Sequence, residues 1–180
     1  FIVSGRRTYA LDLAQPFLKG GNFEGTNYYF YDLNTKLNYK FSDKDRVFFS
    51  AYFGRDVFKF RQPKRDFFFD LPYGNSTATL RWNHVFSDKL FFNASAIYND
   101  YQFSFRGGQD QFVFKLFSGV KDWNGKLDFD YFLNNVHSIK YGLNFTYHTI
   151  TPNTAQANNG DVDFNTGFLP KYGQETAIYI

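Results

Sequence analysis

The chain has 180 residues, with 20 Lys and Arg against 17 Asp and Glu for a net charge of +3. That surplus is small and scattered, and without a basic stripe between the aromatic residues it argues against nucleic acid as a partner. Cys is absent, which excludes a disulfide scaffold, a thiolate metal site and a cysteine nucleophile.

In chain order, a strand stub at 1–9 leads into a polar segment at 7–26, and strands are then expected near 27–41, 46–60, 74–86, 89–105, 111–133 and 138–151, with a further one starting near Gln174. The first full strand sets the pattern. Tyr29, Tyr31, Leu33, Thr35, Leu37, Tyr39 and Phe41 are nearly all apolar or aromatic, while the residues between them turn polar from Asp32 onward. The same two-residue period recurs in Ala78, Leu80 and Trp82, in Leu90, Phe92, Ala94 and Ala96, and in Ile139, Tyr141, Leu143, Phe145 and Tyr147. In 111–133, Gly119 and Gly125 mark expected bulges or a bend.

Connections alternate in length. Short turns are expected at 42–45, 87–89 and 134–137, and longer polar segments at 7–26, 61–73 and 151–173, with a shorter one at 106–111. "FSDKDRVFFSA" from Phe41 is echoed by "FSDKLFFNASA" from Phe86, one hairpin later. Strands in soluble sandwiches are usually about 5–6 residues long. Longer strands, with short turns at one end and long loops at the other, match outer-membrane barrels. The physical cause is the absence of water in hydrocarbon, where every backbone N–H and C=O needs a protein partner and only a helix or a closed barrel supplies one. The mean hydropathy of −0.46 does not oppose this, because alternation cancels in a window average. The fold expected is therefore all-β, a transmembrane antiparallel up-and-down β-barrel. Residues 1–180 would form one segment of a single barrel domain, with about eight strands, two of them partial. Tyr39, Phe41, Phe86, Tyr131 and Tyr141 would sit in its interfacial girdle.

The runs "FIVSGRRTY", "YYFYDLNTKLNYKFSDKDRVFFSAYFGRD" and "KDWNGKLDFDYFLNNVHSIKYGLNFTYHT" resemble the barrel region of TonB-dependent receptors. The resemblance is to the branch with a carboxypeptidase-regulatory-like N-terminal domain, related to glycan-importing receptors. It implies a 22-stranded barrel with a plugged lumen, of which this chain is a contiguous piece, with the plug, the TonB box and the remaining strands outside it. It further implies residence in the cell outer membrane, nutrient import, outer-membrane lipid as surroundings, contact with the TonB complex through the missing N-terminal part, and a surface lipoprotein partner. An alternative is a complete small eight-stranded outer-membrane protein.

Candidate chemistry is sparse. His84, His137 and His148 have no partner at metal-ligand spacing. Asn159, Asp161 and Asp163 alternate in "ANNGDVDF" and could offer oxygen ligands to calcium, although the EF-hand set is incomplete and a solvated loop is the ordinary explanation. Asp128, Asp130 and His148 would be the acid–base group of a barrel enzyme, the third reading, but charges facing a wet lumen are ordinary. Asn75, Asn93 and Asn144 open Asn-x-Ser/Thr patterns inside expected strands. Neither a catalytic residue nor a cofactor site is expected.

Overall fold

The computed structural model describes residues 1–158, 163–167 and 169–180. One antiparallel sheet dominates it. Its strands are β1 (Ile2–Arg7), β2 (Asn27–Lys40), β3 (Asp45–Gln62), β4 (Phe67–Ser87), β5 (Leu90–Gln109), β6 (Phe112–Phe132), β7 (Ser138–Asn158), β8 (Asp163–Thr166) and β9 (Lys171–Tyr179). Each strand from β1 to β7 pairs with the next. β8 lies beside residues 155–158 of β7, and β9 beside residues 142–150. The two therefore share one edge of β7, and the sheet has eight strand positions. Among the described residues it stays open, with β1 paired to β2 alone and β9 to β7 alone.

The strands outrun the expected ones mainly at one end, called upper here. β4, β6 and β7 each have 21 residues, about 70 Å of extended chain. The expected long loop at 61–73 and the shorter one at 106–111 are mostly hairpin. A single 3₁₀ turn at Pro63–Arg65 and a tight turn at Asp110 replace them, with Asp66 and Asp110 taking the positive φ values of 48° and 53° that close them. Pro63 and Pro72 fall in the segment expected as a loop, yet Pro72 sits within β4. It has no N–H to give, and the β4–β5 ladder is interrupted at that point. The segment 151–173 is corrected likewise, since β7 continues to Asn158 and turns back into β8 and β9.

The lower turns match the expectation, and side chains close them. Ser42 Oγ accepts hydrogen bonds from the backbone N–H of Lys44 at 3.1 Å and Asp45 at 3.0 Å. Ser87 Oγ accepts one from Lys89 at 3.3 Å. Asn134 Oδ1 accepts those of Val136 and His137, both at 2.9 Å. Short polar side chains that bond their own backbone are what turns favour, and Ser42 and Ser87 occupy the same place in the FSDK echo.

The 7–26 connection holds one helix, α1 (Ala10–Leu18), where only a polar segment was expected. Asp12 in its first turn suits the helix dipole. Asp12 Oδ1 accepts Asn27 Nδ2 at 2.7 Å, and Gln15 Nε2 donates to the Thr26 carbonyl at 2.7 Å. Pro16 within so short a helix hid it from pattern reading. Gly119 adjoins a bulge between β6 and β7, as expected. Gly125 does not, for the ladder runs through it unbroken.

No helix among the described residues is long and apolar enough to cross a membrane. There is also no ordinary core. Of the described apolar side chains only Val57 and Phe92 are buried, in a chain that is 43% hydrophobic. A soluble sheet would have covered those residues, because burial of apolar area drives folding in water.

Candidate functional site

Antiparallel register makes cross-strand partners share a face, so the pairing sorts the side chains. One row reads Leu37, Phe49, Leu80, Ala96, Gly125 and Phe145 across β2 to β7. Two residues lower it reads Tyr39, Val47, Trp82, Ala94, Leu127, Leu143 and, on β9, Ile178. The opposite face of the same sheet reads Asn38, Phe48, Arg81, Ser95, Lys126 and Asn144, then Lys40, Arg46, Asn83, Asn93, Asp128, Gly142 and Tyr179. An uncharged apolar surface thus backs onto a charged, hydrogen-bonded one. Leu80 is 50% exposed and Trp123 59% exposed on the apolar side, a cost in water and a gain in lipid.

Aromatic rings edge this band. Below, Phe86 packs at 4.5 Å from the His84 ring and 6.0 Å from Phe92, which continues to Phe129 at 4.7 Å and to Tyr141 at 5.0 Å. Above, Tyr31 meets Phe53 at 5.9 Å, Tyr98 meets Trp123 at 4.6 Å, and Tyr147 meets Tyr172 at 6.0 Å. On β7 the band runs from Ile139 to Tyr147, close to the roughly 9–11 residues with which a tilted strand crosses a bilayer.

The polar face is cross-linked. Lys126 Nζ lies 3.0 Å from Asp128, whose other partner is the Tyr179 hydroxyl, and Lys140 Nζ lies 3.0 Å from Asp130. Asn124 Nδ2 donates to Asn144 Oδ1 and Thr146 Oγ1, both at 2.7 Å. Asn75 and Asn83 each turn a shielded side-chain oxygen, without a protein partner among the described residues, onto this face. Asn93 and Asn144 lie on it too.

Above the band the chemistry of the two faces reverses. The formerly polar face becomes aromatic: Phe60 stacks on Phe69 at 5.2 Å, Phe69 on Phe105 at 5.9 Å, and Phe105 meets Phe114 at 6.3 Å. These contacts tie the upper hairpins together and explain why they are strands rather than loops. Tyr28, beside them, donates its hydroxyl to Asp56 at 2.7 Å. That hydrogen bond, aided by partial burial, pushes the Tyr28 pKa up to about 12. Burial, with the Asp56 charge behind it, likewise raises that of Tyr73.

The three histidines are far apart. His84 lies in the lower aromatic edge with Nδ1 2.6 Å from Asp45, and His137 sits in a turn 3.1 Å from Asn134. His148 is on the polar face, its Nδ1 2.7 Å from Asp122 and its Nε2 3.8 Å from Glu175. The structure therefore does not unite Asp128, Asp130 and His148. His148 pairs across the ladder with Asp122, six positions up β6 from Asp128, about 20 Å along the strand. Sequence reading missed Asp122 and Glu175 as the neighbours of His148, because only the register of β6 and of β9 against β7 brings them there. Asn159 and Asp161 lie outside the described residues, as does the side chain of Asp163. Among the described residues no group of three acidic, His or Cys side chains is placed to hold a metal.

A sheet that is apolar on one face between two aromatic edges, and polar on the other, is the wall of a transmembrane β-barrel. Its fold is that of the barrels of TonB-dependent receptors. No protein-family model and no curated protein matches the sequence. Among solved structures, the chain is similar to the ferric yersiniabactin uptake receptor FyuA from Yersinia pestis, with TM-score 0.55 and 9% identity over 86% of this chain and 26% of that one. It is also similar to BauA, the ferric preacinetobactin receptor from Acinetobacter baumannii, with TM-score 0.54 and 13% identity over 87% of this chain and 30% of that one. The chain thus spans between a quarter and a third of the length of these receptors.

Proposed function

We propose that residues 1–180 are one contiguous segment of the barrel of a TonB-dependent outer-membrane transporter that imports a nutrient. The plug, the TonB-contacting segment and the other strands would lie outside this segment. The observation that carries this reading is the reversal of polarity between the two faces of one sheet. The open edges add to it. A membrane-embedded sheet cannot leave the outer edges of β1 and β9 without partners, so further strands must close it. The polar face, with Asn75 and Asn83 presenting acceptors to it, suits a water-filled lumen occupied by a plug. No residue here is assigned a catalytic role. The segment supplies a stiff wall, a polar surface toward the lumen and aromatic-braced hairpins above the membrane.

Within that reading we assign the chain to the branch with a carboxypeptidase-regulatory-like N-terminal domain and a surface lipoprotein partner, on the wording of the three quoted runs. The test is to purify the native polypeptide from outer membranes and measure its intact mass and N-terminal peptides. A mass several times the 21.2 kDa of this segment, with plug and regulatory-like peptides preceding Phe1, is expected. A native polypeptide of about the segment's own mass would instead establish the small eight-stranded protein.

A further inference from the structure

The helix α1 carries more apolar surface than its contact with the sheet uses. Its polar side chains are tied to the outward face of the wall. Asp12 accepts a hydrogen bond from Asn27 Nδ2 at 2.7 Å and lies 3.4 Å from Arg7 Nη2. Both partners point outward, for Arg7 pairs with Tyr31, and Asn27 shares the parity of Tyr31 and Leu37 along β2. The Arg7 guanidinium also lies between two rings, 5.3 Å from Tyr9 and 5.6 Å from Tyr29. Gln15 holds the second turn to the Thr26 carbonyl at 2.7 Å. Leu11, Ala14 and Leu18 are half-buried and complete the covered side.

The other side is bare. Tyr9, Leu13 and Phe17 recur every four residues and so form one stripe along the helix. Leu13 is 75% exposed and Phe17 89% exposed. Ala10 and Pro16 beside them are exposed as well, and no charge interrupts the stripe. A helix with one apolar face needs one partner, and the sheet already serves. Leu13 and Phe17 therefore call for a second apolar surface.

The place of α1 in the wall says which surface that is. Arg7 pairs with Tyr31, a member of the upper aromatic edge, and α1 starts three residues later. From Tyr31, β2 rises only four more residues to its end at Asn27, about 13 Å. The nine-residue helix is itself about 13 Å long. Bonded to Arg7 and Asn27 on the outward face, it lies at headgroup level, continuous with the lipid-facing band below. Lys19, exposed just past its end, supplies the kind of cation that helices at a lipid boundary keep on their wet side.

We propose that α1 is an interfacial helix, lying against the outside of the barrel wall with Leu13 and Phe17 inserted into lipid of the leaflet at the upper end. The inference rests on the barrel reading, which makes the outward face the one toward lipid. Arg7, Asp12 and Gln15 would form the bracket that sets the depth of the helix, and the helix would hold the β1–β2 connection at the headgroup boundary.

The test places a bimane fluorophore on single cysteines, Leu13→Cys and Phe17→Cys, in the full-length protein freed of any other Cys. The protein is held in nanodiscs of phosphatidylethanolamine and phosphatidylglycerol. Nitroxide carried near the top of the acyl chains should quench both labels several-fold more than a label at Asp110→Cys, in an upper turn far above the band. Iodide in the water should quench in the opposite order. Ala10→Cys, on the same bare side, serves where a label at either position disturbs folding, with the same order expected. Iodide quenching at positions 13 and 17 as strong as at 110 would overturn the proposal by placing the stripe in water. Protection from both quenchers would overturn it too, since protein would then cover the stripe. Leu80→Cys in the same nanodiscs reports the wall separately. A Leu80 label quenched by lipid, beside stripe labels that are not, refutes the helix alone, whereas a Leu80 label out of reach of lipid fails the barrel reading.

Discussion

Tyr179 on β9 reaches across β7 to donate its hydroxyl to Asp128 on β6, and it passes over Gly142 to do so. The three residues form one cross-strand row on the polar face, and the absent side chain at Gly142 is the opening. A Cβ there would lie 2.6 Å from the Tyr179 ring and collide with its hydroxyl and with the Leu127 carbonyl. Gly125, on the apolar face, would meet nothing within 4 Å.

Gly142→Val should therefore destabilise the barrel by about 1–3 kcal/mol, the usual cost of overfilling a packed site. Gly125→Val should be neutral or mildly stabilising, because it adds apolar surface toward lipid. Thermal unfolding of the full-length protein in detergent, followed by heat-modifiable mobility, compares the two. An equal effect of both substitutions would contradict the strap over Gly142.

Facing is tested by a neighbouring pair. Leu80 lies in the apolar row with Phe49 and Ala96, and Thr79 on the polar face with Ser50 and Ile97. Leu80→Arg should cost about 2–4 kcal/mol as a charge on the lipid side near mid-bilayer. Thr79→Arg should be tolerated, since it points into a wet lumen that already holds Arg81. Assembly yield in the outer membrane measures both, and a worse outcome for Thr79→Arg would reverse the two faces.

The Tyr28–Asp56 contact makes a pH prediction. The hydroxyl donates only while protonated, and its folded pKa, raised to about 12, exceeds the unfolded value near 10. Its contribution to stability is therefore complete below about pH 10 and is lost as the pH rises through about 12. In the folded protein, the tyrosinate absorbance of the parent minus that of Tyr28→Phe should titrate with a midpoint near 12. A midpoint near 10 would mean that Asp56 does not hold the proton.

Sidedness follows from α1 and the aromatic hairpins at the upper end, which we place outside the cell, with the short Ser- and Asn-closed turns in the periplasm. Cys introduced at Asp110 should react with an impermeant maleimide on intact cells, and Cys at Asp88 only after the outer membrane is opened. The chain has no native Cys to interfere. Reaction in the opposite order would invert the topology.

The strands across the band were legible in sequence because their period of two is written in residues of opposite kind, as in Leu37 beside Asn38. The upper hairpins were not. Phe67, Phe69, Leu71 and Tyr73 alternate with a period of two, but Pro63 precedes them and Pro72 lies among them, and the prolines mask the pattern. What made them strands was cross-strand stacking of Phe60, Phe69 and Phe105, a tertiary cause. An outward row of cations on the upper strands escaped for a related reason. Lys59 is far in sequence from Arg106 and Lys115, and only the register sets the three in one row. Ser42 and Ser87, by contrast, close their turns through bonds to their own backbone, so the turns could be read locally.

The central claim is that odd positions of β7 between Ile139 and Tyr147 face lipid and the even positions between them face water. The measurement is a nitroxide scan of residues 138–148 in the membrane-embedded full-length protein, recording collisions with oxygen and with a water-soluble nickel chelate. Oxygen contact should peak at Ile139, Tyr141, Leu143, Phe145 and Tyr147, and nickel contact at Lys140, Asn144, Thr146 and His148, the two oscillating with period two and out of phase. Two profiles that rise and fall together, or that show no period of two, would contradict a barrel wall.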